Sequence, residues 1–383
     1  MADIRLGVVG TGFIASHFMK SLDRHEGLRV DGILTRRERN EVTGLPDALL
    51  TTSIDDLVAH CDLVVECSGD PIWATDVVTA AVGAERPVVT MNTEFHITTG
   101  SAFVGKGLVT EAEGDQPGCL AALHEDAVAM GFTPIVYGNM KGFLNHDPAR
   151  DDMEFWGAKQ GISLPMVTSF TDGTKVQAEQ VLVGNHFGAT IATEGMLGPD
   201  VSDIVDAADK LAAAAHESGR PISDFVVSSG LPHGVFIVAT HDEAHREALD
   251  YYKLGPGPNY TLIKNNILVH LEIVKTIRRV LSGGGVLLDN SAQPELSLAA
   301  IAKRDLMPGE LIDNAIGSFD LRGHAVRIEE HPGHVPIGLI SQARVTQPVE
   351  RGEIVTTSVI EFPESRARTT WSDQILPSAL AAR

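Results

Sequence analysis

The sequence predicts an α/β protein in three parts. A doubly wound parallel sheet comes first, a mixed α+β unit second and a small all-β module third. Three observations point there. The chain opens on a strand, a glycine-rich turn and a helix, "IRLGVVGTGFIASHFMKSL". Its middle mixes strand-like and helix-like stretches. From about Ser297 short β runs alternate with Pro-Gly and Arg-Gly turns. The expected boundaries are 1–138, 139–290 and 291–365, with 366–383 as a loose tail.

The totals bound the function. No run reaches the roughly 18 apolar residues of a membrane span, and no basic-then-apolar leader opens the chain. Three cysteines, Cys61, Cys67 and Cys119, make neither a disulfide framework nor a zinc pattern. A cytoplasmic protein with buried thiols is expected. The formal net charge of −21 repels nucleic acid and anionic membranes, so neither is expected as a partner.

The opening stretch carries the clearest motif. Ile4 to Val9 read as a buried parallel strand, and Gly10, Thr11, Gly12, Phe13, Ile14 and Ala15 fit G-x-G-x-x-A. The first glycine makes the tight turn and the second admits a pyrophosphate. The helix amino terminus supplies free N–H groups. This predicts a Rossmann dinucleotide domain. The next strand, "LRVDGIL", ends at Thr35, Arg36 and Arg37, where an NAD enzyme puts an acid. Guanidiniums suit a 2′-phosphate, so NADP is preferred, with NAD as the alternative. Ser68, Gly69, Asn92 and Glu94 follow two further strands, at the sheet edge where ligands bind.

In the middle, "SFTDGTKVQAEQVLVGN" reads as a short strand through Val167, Ser169 and Phe170, then a helix. The junction holds Asp172, Thr174 and Lys175. The bland reading is a helix cap beside a surface lysine. The sharper one makes Lys175 a proton donor or acceptor at a substrate oxygen, with Asp172 orienting it or binding a substrate hydroxyl, and with Lys141 either lowering its pKa as second cation or, as the favoured role, binding a substrate phosphate or carboxylate. Asn139, Asn145, Thr174 and Asn185 are candidate substrate ligands. Glu94, Asp172, Glu179 and Glu194 are candidate oxygen ligands for Mg²⁺ or Mn²⁺, with solvated helix and loop charge the alternative for Glu179 and Glu194. Helices are expected over "VSDIVDAADKLAAAAHESG", with Val201 and Val205 in the apolar stripe, and over "NNILVHLEIVKTIRRVLSGGG", with Leu271 and Leu281 inward. "RDLMPGELI" and "QPVERGEIV" look like two copies of one pattern.

Together "VVTMNTE", "GNMKGFLN", "SFTDGTK", "EGMLGP", "LGPGP" and "AKRDLMPGE" resemble the homoserine-dehydrogenase-like oxidoreductases with a carboxyl-terminal SAF domain. Within that group they look most like deoxyxylulose-phosphate reductoisomerase-like enzymes and apionate oxidoisomerases. The resemblance implies a Rossmann domain, a catalytic domain that also builds a homodimer, and a SAF-like β module. It implies an Asp and a Lys as catalytic groups, fitting Asp172 and Lys175. It also implies hydride transfer coupled to a skeleton shift on a small anionic, polyhydroxylated substrate. One departure is "NYTLIKNNILVHLE" after the Gly-Pro turn, where Lys264, Asn265 and Asn266 point to a different substrate if they touch it. The rival readings are a plain alcohol or hydroxy-acid dehydrogenase and a non-catalytic nucleotide- or sugar-binding regulator.

Overall fold

The computed structural model describes residues 3–381. Six parallel strands form the first sheet: β1 (Ile4–Val9), β2 (Leu28–Leu34), β3 (Leu50–Thr51), β4 (Leu63–Glu66), β5 (Val88–Thr90) and β6 (Val109–Glu111). Their order is β3-β2-β1-β4-β5-β6. The helices between them are α1 (Phe13–Ser21), α2 (Ile54–His60), α3 (Pro71–Gly83) and α4 (Thr93–Thr99), and α5 (Gln116–Ala129) follows β6. Every residue of β4 is buried, as a parallel strand covered on both faces requires. The strand order turns between β1 and β4, which opens a crevice at the carboxyl ends. Asp70, Asn92 and Asp115 start α3, α4 and α5 by accepting their first free N–H groups. These caps hold the loops along that crevice in place.

The second sheet has β7 (Thr133–Lys141), β8 (Ile222–Val227), β9 (Gly234–Thr240) and β10 (Asn259–Asn265), in the order β10-β9-β7-β8. Its helices are α6 (Arg150–Gln160), α7 (Leu164–Thr171), α8 (Thr174–Phe187), α9 (Ile204–Ser218), α10 (Arg246–Tyr251) and α11 (Ile273–Leu281). α8 is buried along almost its whole length and packs against α4, α5 and β8. The chain then returns to the first sheet. Ile273, Ile277 and Val280 of α11 pack with Leu6, Phe18 and Leu63, and the Glu111 N–H donates to the Leu288 carbonyl at 2.9 Å. The expected boundary at 138 therefore falls inside β7, and residues far beyond it complete the first core.

The third part contains β11 (Leu296–Ala302), β12 (Leu311–Ile312), β13 (Leu321–Arg327), β14 (Ala343–Val345) and β15 (Ile360–Glu361). β11 pairs with β13, and β12, β14 and β15 form a small sheet. The two sequence copies embrace each other. Leu306 and Val349 exchange both backbone hydrogen bonds, at 2.8 and 3.0 Å. The Gly309 N–H donates to Val345 and the Gly352 N–H to Ala302, each at 2.8 Å. Both glycines have positive φ, 93° and 89°. The bonds obey a pseudo-two-fold, because equivalent residues play equivalent parts.

Four local expectations are corrected. Residues 167–170 lie in α7, not a strand: Pro165 opens the helix, Ser163 caps it, and the Thr168, Ser169 and Thr171 hydroxyls bond back to carbonyls within it. Val205 is 65% exposed, and Val201 lies before α9. The helix expected from 265 begins only at Ile273, since β10 claims residues up to Asn265; Leu271 and Leu281 are exposed. The tail is ordered as α12 (Arg366–Thr370), one wide turn and α13 (Leu376–Ala381). Ala367, Trp371 and Ile375 join the core that holds Val77 and Val78. No helix among the described residues is long and apolar enough to cross a membrane.

Candidate active site

The dinucleotide turn is built as its residues demand. Gly10 has φ +104°, and a Cβ there would sit 2.9 Å from the Cys67 carbonyl oxygen. A Cβ on Gly12 would meet nothing within 4 Å, so the space over the turn is open. Gly12 starts α1 without a side-chain cap, which leaves the first N–H groups to a ligand. Thr11 and Thr35 bring their hydroxyls to 3.5 Å, and Thr35 accepts the Arg37 N–H at 3.1 Å. Phe13 is exposed beside the turn and Ile14 half-buried. Ser68 donates its N–H to Glu66, and Gly69 is open to approach. Asn92 is fully buried; its Oδ1 caps α4 while its Nδ2 has no hydrogen-bond partner among the described residues. These features fit a dinucleotide along the crevice.

Further along the same edge, charges from four elements converge. Lys175, in the first turn of α8, meets Glu94 of α4 at 3.3 Å and Asp115, the cap of α5, at 3.1 Å. Four residues on, along the same face of α8, Glu179 accepts from Asn139 of β7 at 2.7 Å and pairs with Lys141 at 3.4 Å. All these side chains are at least about 85% buried in the crevice; Lys175 is 12% and Lys141 13% exposed. Behind them, Thr93 lies 3.3 Å from both Asp115 and Glu111, and Glu111 reaches His96 at 3.5 Å. His233 closes the other side through Gln116 at 3.1 Å.

Burial and neighbours set the charges. Burial pulls Lys175 down, but Asp115, Glu94, Glu179 and Glu111 outweigh it and hold the ammonium well above its ordinary range. The expectation of a lysine brought towards neutrality is therefore corrected: the groups around it are carboxylates. Burial pushes Glu179 up to about 7, against the pull of Lys141. Burial also raises Glu111 well above its ordinary value, and lowers His96 to about 4, so the imidazole is neutral at pH 7.

Several candidates lie elsewhere. Asp172 does not face Lys175. It is fully buried and pairs with Lys303 of the β module at 2.6 Å, while its Oδ1 accepts the Thr174 N–H. Thr174 is spent on the Gly323 N–H, and Asn185 on Glu295, Leu296 and Asn290. Asn145 is exposed and closes a turn with Asp147. Glu194 binds His331. Of the candidate metal ligands, Glu94 and Glu179 stay in the cluster, paired with Lys175 and Lys141, while Asp172 and Glu194 lie apart from it, and no metal-holding group of three or more His, Cys, Asp or Glu exists among the described residues. Lys264 is held by Glu113 and Glu272 at 3.2 and 3.0 Å. Arg36 pairs with Asp70 at 2.7 Å.

Asp115, Glu111, His96 and His233 were not foreseen. Asp115 had a signal, an Asp before Gln-Pro that starts a helix, but it reads as a cap alone. Glu179 was expected only as an oxygen ligand for a metal or a solvated helix charge; the signal for its place beside Lys175 was its position four residues on.

Residues 10–101 match the family model for the homoserine dehydrogenase NAD binding domain. Residues 114–273 match that for the catalytic domain of oxidoreductase DRL. No curated protein matches the chain. Among solved structures it is similar to a homoserine dehydrogenase from Thiobacillus denitrificans, with 15% identity, TM-score 0.48, and coverage of 81% of this chain and 84% of that one. It is also similar to UDP-N-acetylglucosamine 3-dehydrogenase GnnA from Acidithiobacillus ferrooxidans, with 12% identity, TM-score 0.42, and coverage of 76% and 93%. The first match contains Glu94 and the second Asp115, Asn139, Lys141, Lys175 and Glu179, so the charged cluster spans the two matched segments.

Proposed function

We propose that the chain is an NADP(H)-preferring oxidoreductase of a small, anionic, polyhydroxylated substrate, coupling hydride transfer to rearrangement of the carbon skeleton. The supporting observation is that one crevice holds two buried charged groups, Lys175 with Glu94 and Asp115, and Glu179 with Lys141 and Asn139, which we read as two proton-handling centres. A plain dehydrogenase moves one proton, at the oxygen on the carbon that exchanges hydride. A retro-aldol or α-ketol path moves a second, at a neighbouring hydroxyl.

A bound nicotinamide supplies the hydride chemistry. Gly10 to Ile14 would hold its pyrophosphate, and Arg36 and Arg37 its 2′-phosphate. Lys175, kept charged by its carboxylates, presents a cation where an alkoxide develops and donates a proton to it. Glu179 takes the proton of the neighbouring hydroxyl as a carboxylate and returns it as an acid, since it titrates near the working pH. Among the described residues Lys141 has only Glu179 as an ion-pair partner, so it offers charge to a substrate carboxylate or phosphate. A divalent cation, Mg²⁺ or Mn²⁺, belongs to this proposal only as an addition brought with substrate. The β module is read as SAF-like. A homodimer completes the proposal, supported by the free edge of β10, where Ile263 is 42% exposed.

The test offers NADPH or NADH with deoxyxylulose phosphate, and the oxidised cofactors with apionate and related branched sugar acids, followed at 340 nm. Carbon NMR of the product decides the skeleton. A rearranged product supports the reading. Turnover with the skeleton intact overturns the rearrangement and leaves the plain dehydrogenase.

A further inference from the structure

The end of β2 lacks the acid that NAD enzymes use to hold the ribose 2′-hydroxyl. The fold brings a carboxylate there from another loop. β2 and β4 flank β1, so the loops after them lie on either side of the glycine turn. Between those loops Arg36 Nη1 meets Asp70 Oδ2 at 2.7 Å. The guanidinium carbon lies 4.5 Å from the centre of the Trp73 ring.

The two partners differ in freedom. Asp70 is anchored: its Oδ1 accepts the N–H groups of Ile72 and Trp73 at 3.0 and 3.1 Å, and its own N–H donates to the Ser68 hydroxyl at 3.3 Å. Arg36 has a side chain 58% exposed, against 31% for Asp70. Its stacking on Trp73 keeps the guanidinium oriented even when its carboxylate partner changes.

We propose that Asp70 sets the balance between NAD(H) and NADP(H) by competing with a 2′-phosphate for Arg36. A phosphate that binds Arg36 displaces the Asp70 carboxylate and then sits beside its negative charge. A 2′-hydroxyl meets neither obstacle, and it can donate a hydrogen bond to the same carboxylate. Asp70 thus weakens NADPH and favours NADH, and it tempers the preference that Arg36 and Arg37 would otherwise impose. The inference rests on the nicotinamide-dependent reading above.

The test is cofactor fluorescence titration of the whole chain with NADH and with NADPH, in the wild type, Asp70→Asn and Arg36→Ala. Asparagine caps a helix about as well as aspartate, so Asp70→Asn keeps the start of α3. An unchanged thermal midpoint confirms this. Asp70→Asn is expected to shift the NADPH-to-NADH affinity ratio about 10-fold towards NADPH, a change of ~1.4 kcal/mol. Arg36→Ala is expected to shift it towards NADH. A ratio in Asp70→Asn that stays within about twofold of wild type, or moves towards NADH, overturns the proposal while both cofactors still bind. Binding of neither cofactor to the wild type instead overturns the nicotinamide reading, and this inference with it.

Discussion

Replacing Glu179 with Gln tests the electrostatics of the site through stability alone, before any substrate is known. Glu179 is 1% exposed, and its carboxyl is raised from 4.5 to about 7, chiefly by burial. The sign follows from proton uptake. Between those two values the folded protein holds a proton that the unfolded chain has released, so stability falls as pH rises. The contribution is fully present below the unfolded value and is lost as pH passes the folded one. From about pH 5 to about pH 8 the two values give a loss of ~2.5 kcal/mol. Gln carries the same shape, and its oxygen can still accept from Asn139 Nδ2, but it cannot ionise. Urea unfolding at several pH values, followed by circular dichroism, gives the wild-type minus Glu179→Gln difference. That difference should move by ~2.5 kcal/mol against the wild type over the range. A difference flat to within about 0.5 kcal/mol would refute the raised pKa and with it the acid/base role of Glu179.

Other predictions address different parts of the site. Lys175→Met should retain NADPH binding by fluorescence while turnover falls by roughly 10³ or more, whereas equal loss of both would make Lys175 a structural residue. Lys303→Met leaves the fully buried Asp172 without its partner. It should cost about 3–5 kcal/mol in urea unfolding with cofactor affinity unchanged; a matching loss of cofactor affinity would return Asp172 to the active site. Thorough chelation followed by Mg²⁺ or Mn²⁺ should leave cofactor affinity constant, and recovery of turnover on metal addition alone would establish the metal as part of the reaction.

The strand, glycine turn and helix at the amino terminus were legible because their causes are local. Gly10 is required by its own φ and by the neighbouring Cys67 carbonyl, and the apolar run before it makes the strand. The pseudo-repeat was legible for the same reason: Gly309 and Gly352 mark equivalent turns. The strand expected at 167–170 failed because Pro165 and Ser163 start a helix there, and β-branched residues do not veto one.

The candidate active site was half legible. Lys175 stood out at its junction and through the family resemblance, Glu94 by its place on the sheet edge, and Lys141 and Asn139 by residue type. Their pairings did not, because Glu94 and Asp115 are 81 and 60 residues from Lys175 in the chain. Asp172, only three residues away, turned out to serve a different contact with Lys303. A side chain's direction at a helix start depends on what packs around it, which nearness in sequence does not report. The pKa values depend on burial in the same way. By itself the sequence determined the strand, glycine turn and helix that open the chain and the residue types available to carry protons, since that is chemistry and local backbone geometry. Only the tertiary structure decided which carboxylates surround Lys175 and which acid faces Arg36, because those fields come from groups that folding alone brings together.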